Sequence, residues 1–291
     1  MTASIAPVLV ASALAFTVTG SFNWPLFILA LVSIMLLHSG ANVANDYFDH
    51  VSKNDWLNKN PTPFSGGVRF IQQSILSPKE TIFLSLALFA AGCATGLIII
   101  YLTKSIFILI LGIIGCFGGF FYTALPFKFG YRTAGEIVIA LLFGLLPVAG
   151  SFYLQTGYLD WLLLFPAAIV SILIFLVILI NEFPDRDADA AVKKRTLVVS
   201  FGLDKSILIY RIFLIATYLI AVTAMFLNGR MFYAGLLFLL TLPLAVAAMR
   251  FTNKKVLSTP QNTTPNRFTI ILHLTGSVAL TAGFVIFAFT N

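Results

Sequence analysis

Long apolar runs broken by short charged segments set the pattern of this chain. A membrane-crossing helix needs about 20 consecutive apolar residues. Nine stretches meet or approach that length: 2–19, 24–49, 80–102, 106–123, 134–154, 161–183, 207–227, 232–249 and 268–289. The first is short and contains Pro7. The second, if helical throughout, runs about 39 Å and so protrudes from the hydrocarbon layer. The predicted fold is all-α, a polytopic membrane protein of about nine transmembrane helices forming a single domain over residues 1–291.

Composition agrees with the pattern. Hydrophobic residues make up 59% of the 291 and charged residues only 10%, against roughly 25% charged in soluble domains. The net charge of +7 does not point to nucleic acid, because the basic residues lie between apolar segments. Sixteen of the 18 Lys and Arg fall on the side reached after the second, fourth, sixth and eighth stretches, and only Lys104 and Arg230 on the other. That asymmetry predicts a cytoplasmic-membrane protein with those loops and the N-terminus inside. No basic segment precedes the first apolar stretch, so no cleavable signal is expected. Cys93 and Cys116 lie inside apolar runs without metal-ligand spacing and read as packing residues.

Ten of the 11 acidic residues also gather at the cytoplasmic boundary, Asp160 being the exception. The positive-inside bias does not by itself collect carboxylates, so chemistry is expected there. The second stretch ends in Asn42-Val-Ala-Asn45-Asp46-Tyr-Phe-Asp49, with Asp55 beyond; the sixth ends in Asn181-Glu-Phe-Pro-Asp185-Arg-Asp-Ala-Asp189. Asp46 and Asp49 share a helix face at i, i+3, and so do Asp185 and Asp189 at i, i+4 if Pro184 leaves the helix intact. Asn42 precedes Asp46 by four residues, as Asn181 precedes Asp185, and the two pairs stand 139 positions apart. This mirrored spacing predicts two four-helix pseudo-repeats around a central cavity.

Facing carboxylate pairs repel unless cations lie between them. With oxygen ligands and no His or Cys partner, the cation is a hard one: Mg²⁺, Mn²⁺ or Ca²⁺. Asn42 and Asn181 are positioned to ligate it through their amide oxygens or to orient the aspartates. His38 reads as a helix-interface residue; His50, in the loop after the first motif, is within reach of the site but reads as structural too, and His273 has no evident partner. A secondary transporter is the competing class, but transporters place ionisable residues near the midplane, whereas these stand at helix ends. A non-catalytic scaffold would not need mirrored ligand spacings.

These motifs resemble the two aspartate motifs of the UbiA superfamily of intramembrane prenyltransferases, with Lys194-Arg195-Thr196-Leu197 extending the second. Asn60–Gly67 and Tyr122–Arg132 resemble that family's two other cytoplasmic loop segments, and Thr2–Pro7 the first helix of its naphthoate-prenylating branch. The resemblance implies Mg²⁺-dependent transfer of a polyprenyl group from its diphosphate. Asp46, Asp49, Asp185 and Asp189 are then the catalytic metal ligands, joined by Asn42 and Asn181, with Asn45 and Asp55 in support. Arg69, Tyr122, Lys128, Arg132 and Lys194 are the expected diphosphate contacts. The acceptor it suggests is 1,4-dihydroxy-2-naphthoate; a glycerol phosphate ether lipid or a hydroxybenzoate remains open. Two departures stand out: Lys53 and Lys193 occupy positions where the family commonly has glycine, and the chain begins at its first apolar stretch, without the amphipathic segment usual in relatives.

Overall fold

The computed structural model describes residues 2–290. It is all-helical, with no strand among the described residues beyond one isolated bridge between Thr62 and Ser65. Among the described residues six helices are long and apolar enough to cross a membrane, or seven if a bent pair counts as one span.

In chain order these elements are α1 (Thr2–Thr19), α2 (Trp24–Val51), the short α3 (Asn54–Leu57), α4 (Pro78–Thr103) and α5 (Ile106–Phe120). They continue as α6 (Gly135–Ala140), α7 (Leu146–Thr156), α8 (Leu164–Ala191), α9 (Leu197–Leu227), α10 (Phe232–Leu239), α11 (Leu242–Phe251), α12 (Lys254–Leu257) and α13 (Thr264–Thr290). α6 and α7 are one span joined by a π-helical turn over Leu141–Leu145. α10 and α11 are the bent pair, angled by 49°; Pro243 near the start of α11 suits a restarted helix. α1 and α5 are apolar but shorter.

Start signals are local. Asn23 caps α2, and Ser77 closes a capping box with Glu80 at the start of α4. Apolar burial does not drive helices together inside lipid, so close packing and interhelical hydrogen bonds must. The α2–α4 contact shows both. Ser33 Oγ donates to the Gly92 carbonyl (3.0 Å) and Ser85 Oγ to the Gly40 carbonyl (2.8 Å), bonds that the two small glycines allow. α8 lies at the centre, with Leu173, Leu176, Leu179 and Ile180 fully buried. The helix carrying the second aspartate motif is therefore the most enclosed.

Pro184 neither breaks nor restarts α8; the helix runs through it to Ala191. A proline there removes the N–H that would bond the Ile180 carbonyl. Asn266 of α13, 1% exposed, supplies the missing donor: its Nδ2 lies 3.1 Å from that carbonyl and 2.9 Å from Asn181 Oδ1. Membrane helices tolerate proline where a neighbour satisfies the freed backbone in this way. The two cysteines pack against each other across α4 and α5, Sγ to Sγ at 3.4 Å, with Cys93 exposed and Cys116 half-buried.

Candidate active site

The two aspartate motifs meet at the ends of α2 and α8. Asn42, Asn45, Asp49 and Asp55 from the first, and Asn181, Asp185 and Asp189 from the second, line one polar cavity of about 280 Å³. Asp46 does not line it; its Oδ1 lies against Gly67 in the segment between α2 and α4. The continuity of α8 puts Asp185 and Asp189 on one face, as their i, i+4 spacing requires.

The segment between α2 and α4 folds over this cavity and ties the motifs together. On α3 and its cap, Asn54 and Asn58 are also i, i+4 and pair in register with the second motif. Asn54 Nδ2 donates to Asp189 Oδ1 (2.9 Å) and Asn58 Nδ2 to Asp185 Oδ1 (2.8 Å). The Gly66 N–H donates to Asp185 Oδ2 (3.1 Å). Gly66 and Gly67 both have left-handed backbone (φ 84° and 69°). A Cβ on Gly67 would come within 3.0 Å of Asp46 Oδ1 and 3.3 Å of Asp55 Oδ2, so a side chain there would be both strained and crowded against carboxylates.

Lys194, just past α8, is the cation at the centre. Its Nζ lies 3.5 Å from Asp49 and 3.5 Å from Asp189. Burial disfavours the ammonium, but Asp49 and Asp189 reverse this and hold it well above the usual lysine range. Tyr131 donates from its hydroxyl to Asp49 Oδ1 (3.1 Å), and its ring faces Lys194 Nζ at 5.6 Å. Burial, followed by the charge of Asp49, pushes the Tyr131 phenol up. Asp55, held by Gln72 Nε2 at 3.1 Å, is pushed up to about 7 by burial and then by Asp49 and Asp46. Tyr122 is raised by burial and then by Glu182.

Of the five expected diphosphate contacts, Tyr122 and Lys194 line the cavity. The other three do not. Arg69 Nη2 reaches the Asp55 carbonyl at 3.4 Å, Lys128 stacks on the Tyr131 ring at 4.6 Å, and exposed Arg132 donates to the Phe127 carbonyl at 3.0 Å. Arg69 and Lys128 both have left-handed backbone (φ 63° and 46°). Lys53 and Lys193 share that conformation (φ 65° and 59°), which explains why glycine suits those positions: these lysines keep a glycine-like turn and bear its strain.

Sequence reading missed Asn54, Asn58 and Asn266, and took in Gly66 and Tyr131 only as members of the two resembling loop segments, without a role of their own. The i, i+4 asparagines beside Asp55 were a legible signal; the Tyr131 and Asn266 contacts span 82 and 85 residues and were not. Glu182, 8% exposed and one turn deeper than Asp185, also lines the cavity, and its Oε2 is buried without a hydrogen-bond partner; an acid at membrane depth is by default a functional candidate. His38 bonds Ser4 Oγ and packs on Phe143, as an interface residue should. His50 accepts from Trp56 Nε1 (3.1 Å), while both ring nitrogens of buried His273 lack a partner.

Among the described residues no three or more His, Cys, Asp or Glu side chains converge to hold a metal unaided. Mg²⁺ does not need that, since it takes one or two carboxylates and fills its shell with water and phosphate oxygens. The donors are all oxygens, and buried Asn54 Oδ1 has no hydrogen-bond partner. Such a set fits Mg²⁺ and no soft metal.

Beyond Ala41, Gly119 and Phe143 the polar cavity meets a second one of about 170 Å³, whose walls include Ile34, Leu37, Ile99, Leu111 and Leu142. The paired chambers suit an amphiphile with an anionic head and an apolar tail.

Comparison with known proteins agrees with this chemistry. Residues 4–272 match the UbiA prenyltransferase family. The chain is 31% identical over 228 residues to the 1,4-dihydroxy-2-naphthoate octaprenyltransferase of Haemophilus influenzae, covering 77% of this chain and 72% of that one. It is 31% identical over 264 residues to the Escherichia coli enzyme of the same name, covering 87% and 82%. The structure of a UbiA homolog from Archaeoglobus fulgidus bound to GPP and Mg²⁺ superposes with a TM-score of 0.63 at 15% identity, over 99% of this chain and 97% of that one.

Proposed function

The chain belongs to the UbiA prenyltransferase family, and we propose from that premise that it transfers a polyprenyl group from its diphosphate to 1,4-dihydroxy-2-naphthoate. The observation that carries the reading is the joining of both aspartate motifs around one polar cavity that leads into an apolar one. Relatives bearing the naphthoate name at 31% identity support the acceptor.

Asp46, Asp49, Asp185 and Asp189 would hold Mg²⁺ (or Mn²⁺), with Asn42 and Asn181 contributing amide oxygens or orientation, and Asn45 and Asp55 in support. Asn45 Nδ2 already donates to Asp49 Oδ2 at 3.1 Å. Bound there, the metal neutralises the diphosphate and stabilises it as a leaving group. Without such neutralisation a diphosphate would be repelled by the carboxylates. Lys194 and Tyr122 contact phosphate oxygens inside the cavity; Arg69, Lys128 and Arg132 draw the anion in at the rim. The apolar chamber shields the allylic carbon from water until an electron-rich ring carbon attacks it.

The same reading places the protein in the cytoplasmic membrane as nine spans. α1, α5 and the bent α10–α11 pair complete the six long helices, and two pseudo-repeats put both motifs on the cytoplasmic face.

The test is direct. Purified protein with Mg²⁺ and geranylgeranyl diphosphate is offered the naphthoate, a hydroxybenzoate and a glycerol phosphate ether lipid, and products are identified by mass. Prenylated naphthoquinol is the expected product; an ether lipid formed while the naphthoate stays intact would overturn the acceptor and leave the prenyltransferase standing.

A further inference from the structure

The segment that closes the site is amphipathic in the inverted sense. On α3 and its flanks the polar residues point inward: Asn54, Asp55 and Asn58 are 6%, 4% and 6% exposed. The apolar ones point outward: Trp56 is 54% exposed and Leu57 46%, beside Val51 at 59% at the end of α2. Lys53 and Lys59 flank them, both exposed. A segment bathed in water would show the opposite arrangement.

Depth identifies what covers this face. α2 has 28 residues, about 42 Å of helix, against a hydrocarbon layer of about 30 Å. Its first residue, Trp24, is 63% exposed, and Trp161, 53% exposed, stands before α8. Both lie at the helix ends opposite the aspartates and suit one interfacial aromatic belt. Val51 and Trp56 therefore fall at headgroup depth on the other side. There Tyr47, Val51, Lys53, Trp56 and Pro78 line an open concavity of about 450 Å³ between α2, α3 and α4. Trp56 Nε1 is already satisfied by His50, so the indole leaves no donor unpaired when its body enters lipid.

We propose that this outward face of α3 is seated in the anionic headgroup layer of the surrounding bilayer. Trp56, Leu57 and Val51 enter the acyl boundary, and Lys53 and Lys59 meet lipid phosphates. The lid that delivers Asn54, Asp55 and Asn58 to the second aspartate motif is thereby held at the membrane surface, where a prenyl diphosphate presents its head. The proposal rests on the membrane-spanning reading and is independent of the acceptor.

The experiment uses full-length protein carrying Trp24→Phe and Trp161→Phe, which leaves Trp56 as the sole tryptophan, in nanodiscs of phosphatidylcholine with or without phosphatidylglycerol. Lipids brominated near the glycerol end should quench Trp56 more than lipids brominated deep in the tail. Access of the neutral aqueous quencher acrylamide should fall when phosphatidylglycerol is added, and Lys53→Glu with Lys59→Glu should abolish that lipid dependence. If the double phenylalanine variant does not fold, amide exchange of residues 52–60 in the unmodified chain gives the second readout, slowing when phosphatidylglycerol is added. A Trp56 open to acrylamide and untouched by any brominated lipid, or exchange indifferent to lipid composition, overturns the proposal and leaves the face to a protein partner.

Discussion

The continuity of α8 through Pro184 depends on one side chain from another helix, and that dependence can be measured. Replacing Asn266 with Leu keeps the volume close but removes the donor. Two bonds go: the one to the Ile180 carbonyl (3.1 Å) and the one to Asn181 Oδ1 (2.9 Å). Leaving a buried acceptor unsatisfied costs about 1–3 kcal/mol, while interhelical side-chain bonds in membranes average about 0.6 kcal/mol and reach about 1.7. A loss of about 1–3 kcal/mol is therefore expected, read by SDS titration or thermal unfolding in detergent. The informative step is the second substitution. Pro184→Ala restores a backbone N–H that can bond Ile180, so in the Asn266→Leu background it should recover about 1 kcal/mol or more beyond its effect on the unmodified protein. Alanine's better helix propensity acts in both backgrounds and cancels in the cycle. If the coupling energy stays within the roughly 0.3–0.5 kcal/mol typical of independent sites, Asn266 is not the replacement donor and the reasoning is refuted.

Other outcomes follow from the site. Asp46→Asn and Asp185→Asn should each abolish turnover while the helical content is unchanged, as should chelation of Mg²⁺; near-normal activity in either variant contradicts the metal assignment. Lys194→Ala should raise the apparent KM for the prenyl diphosphate and leave that for the acceptor alone, and an effect confined to the acceptor would sink its role. Lys193→Gly should relieve a left-handed lysine (φ 59°) and stabilise by about 0.5–1 kcal/mol after the entropy of the unfolded chain is counted; a lowered melting temperature contradicts it. Asp55 is raised from 3.8 to about 7, so the folded state binds its proton more tightly than the unfolded chain does. Its contribution to the stability of metal-free protein is full below 3.8 and is lost as pH rises through about 7; Mg²⁺ should flatten that slope, and stability rising with pH across the window would be the wrong sign.

What the chain's linear order determined rests on the length of its apolar runs and on helical spacing. Uncharged runs of near-spanning length dictate helices because a backbone in lipid must satisfy its own hydrogen bonds, and no distant contact can alter that. Aspartates at i, i+3 and i, i+4 share faces for the same local reason, and the mirrored Asn-to-Asp spacing marks both as parts of one site. The tertiary structure decided everything that depends on partners remote in sequence. Pro184 was ambiguous because its fate rests on Asn266, which approaches only when α13 packs on α8. The i, i+4 spacing of Asn54 and Asn58 is legible, but their partners are not: Asp189 and Asp185 lie 135 and 127 residues away and are met only when the segment folds over them. Basic residues are alike in a loop reading, yet among the described residues only Lys194 lines the cavity, while Lys128, Arg132 and Arg69 are held by the Tyr131 ring, the Phe127 carbonyl and the Asp55 carbonyl. Local periodicity encodes which face a side chain takes; which other face it meets is settled by how helices pack, and that information is spread over the whole chain.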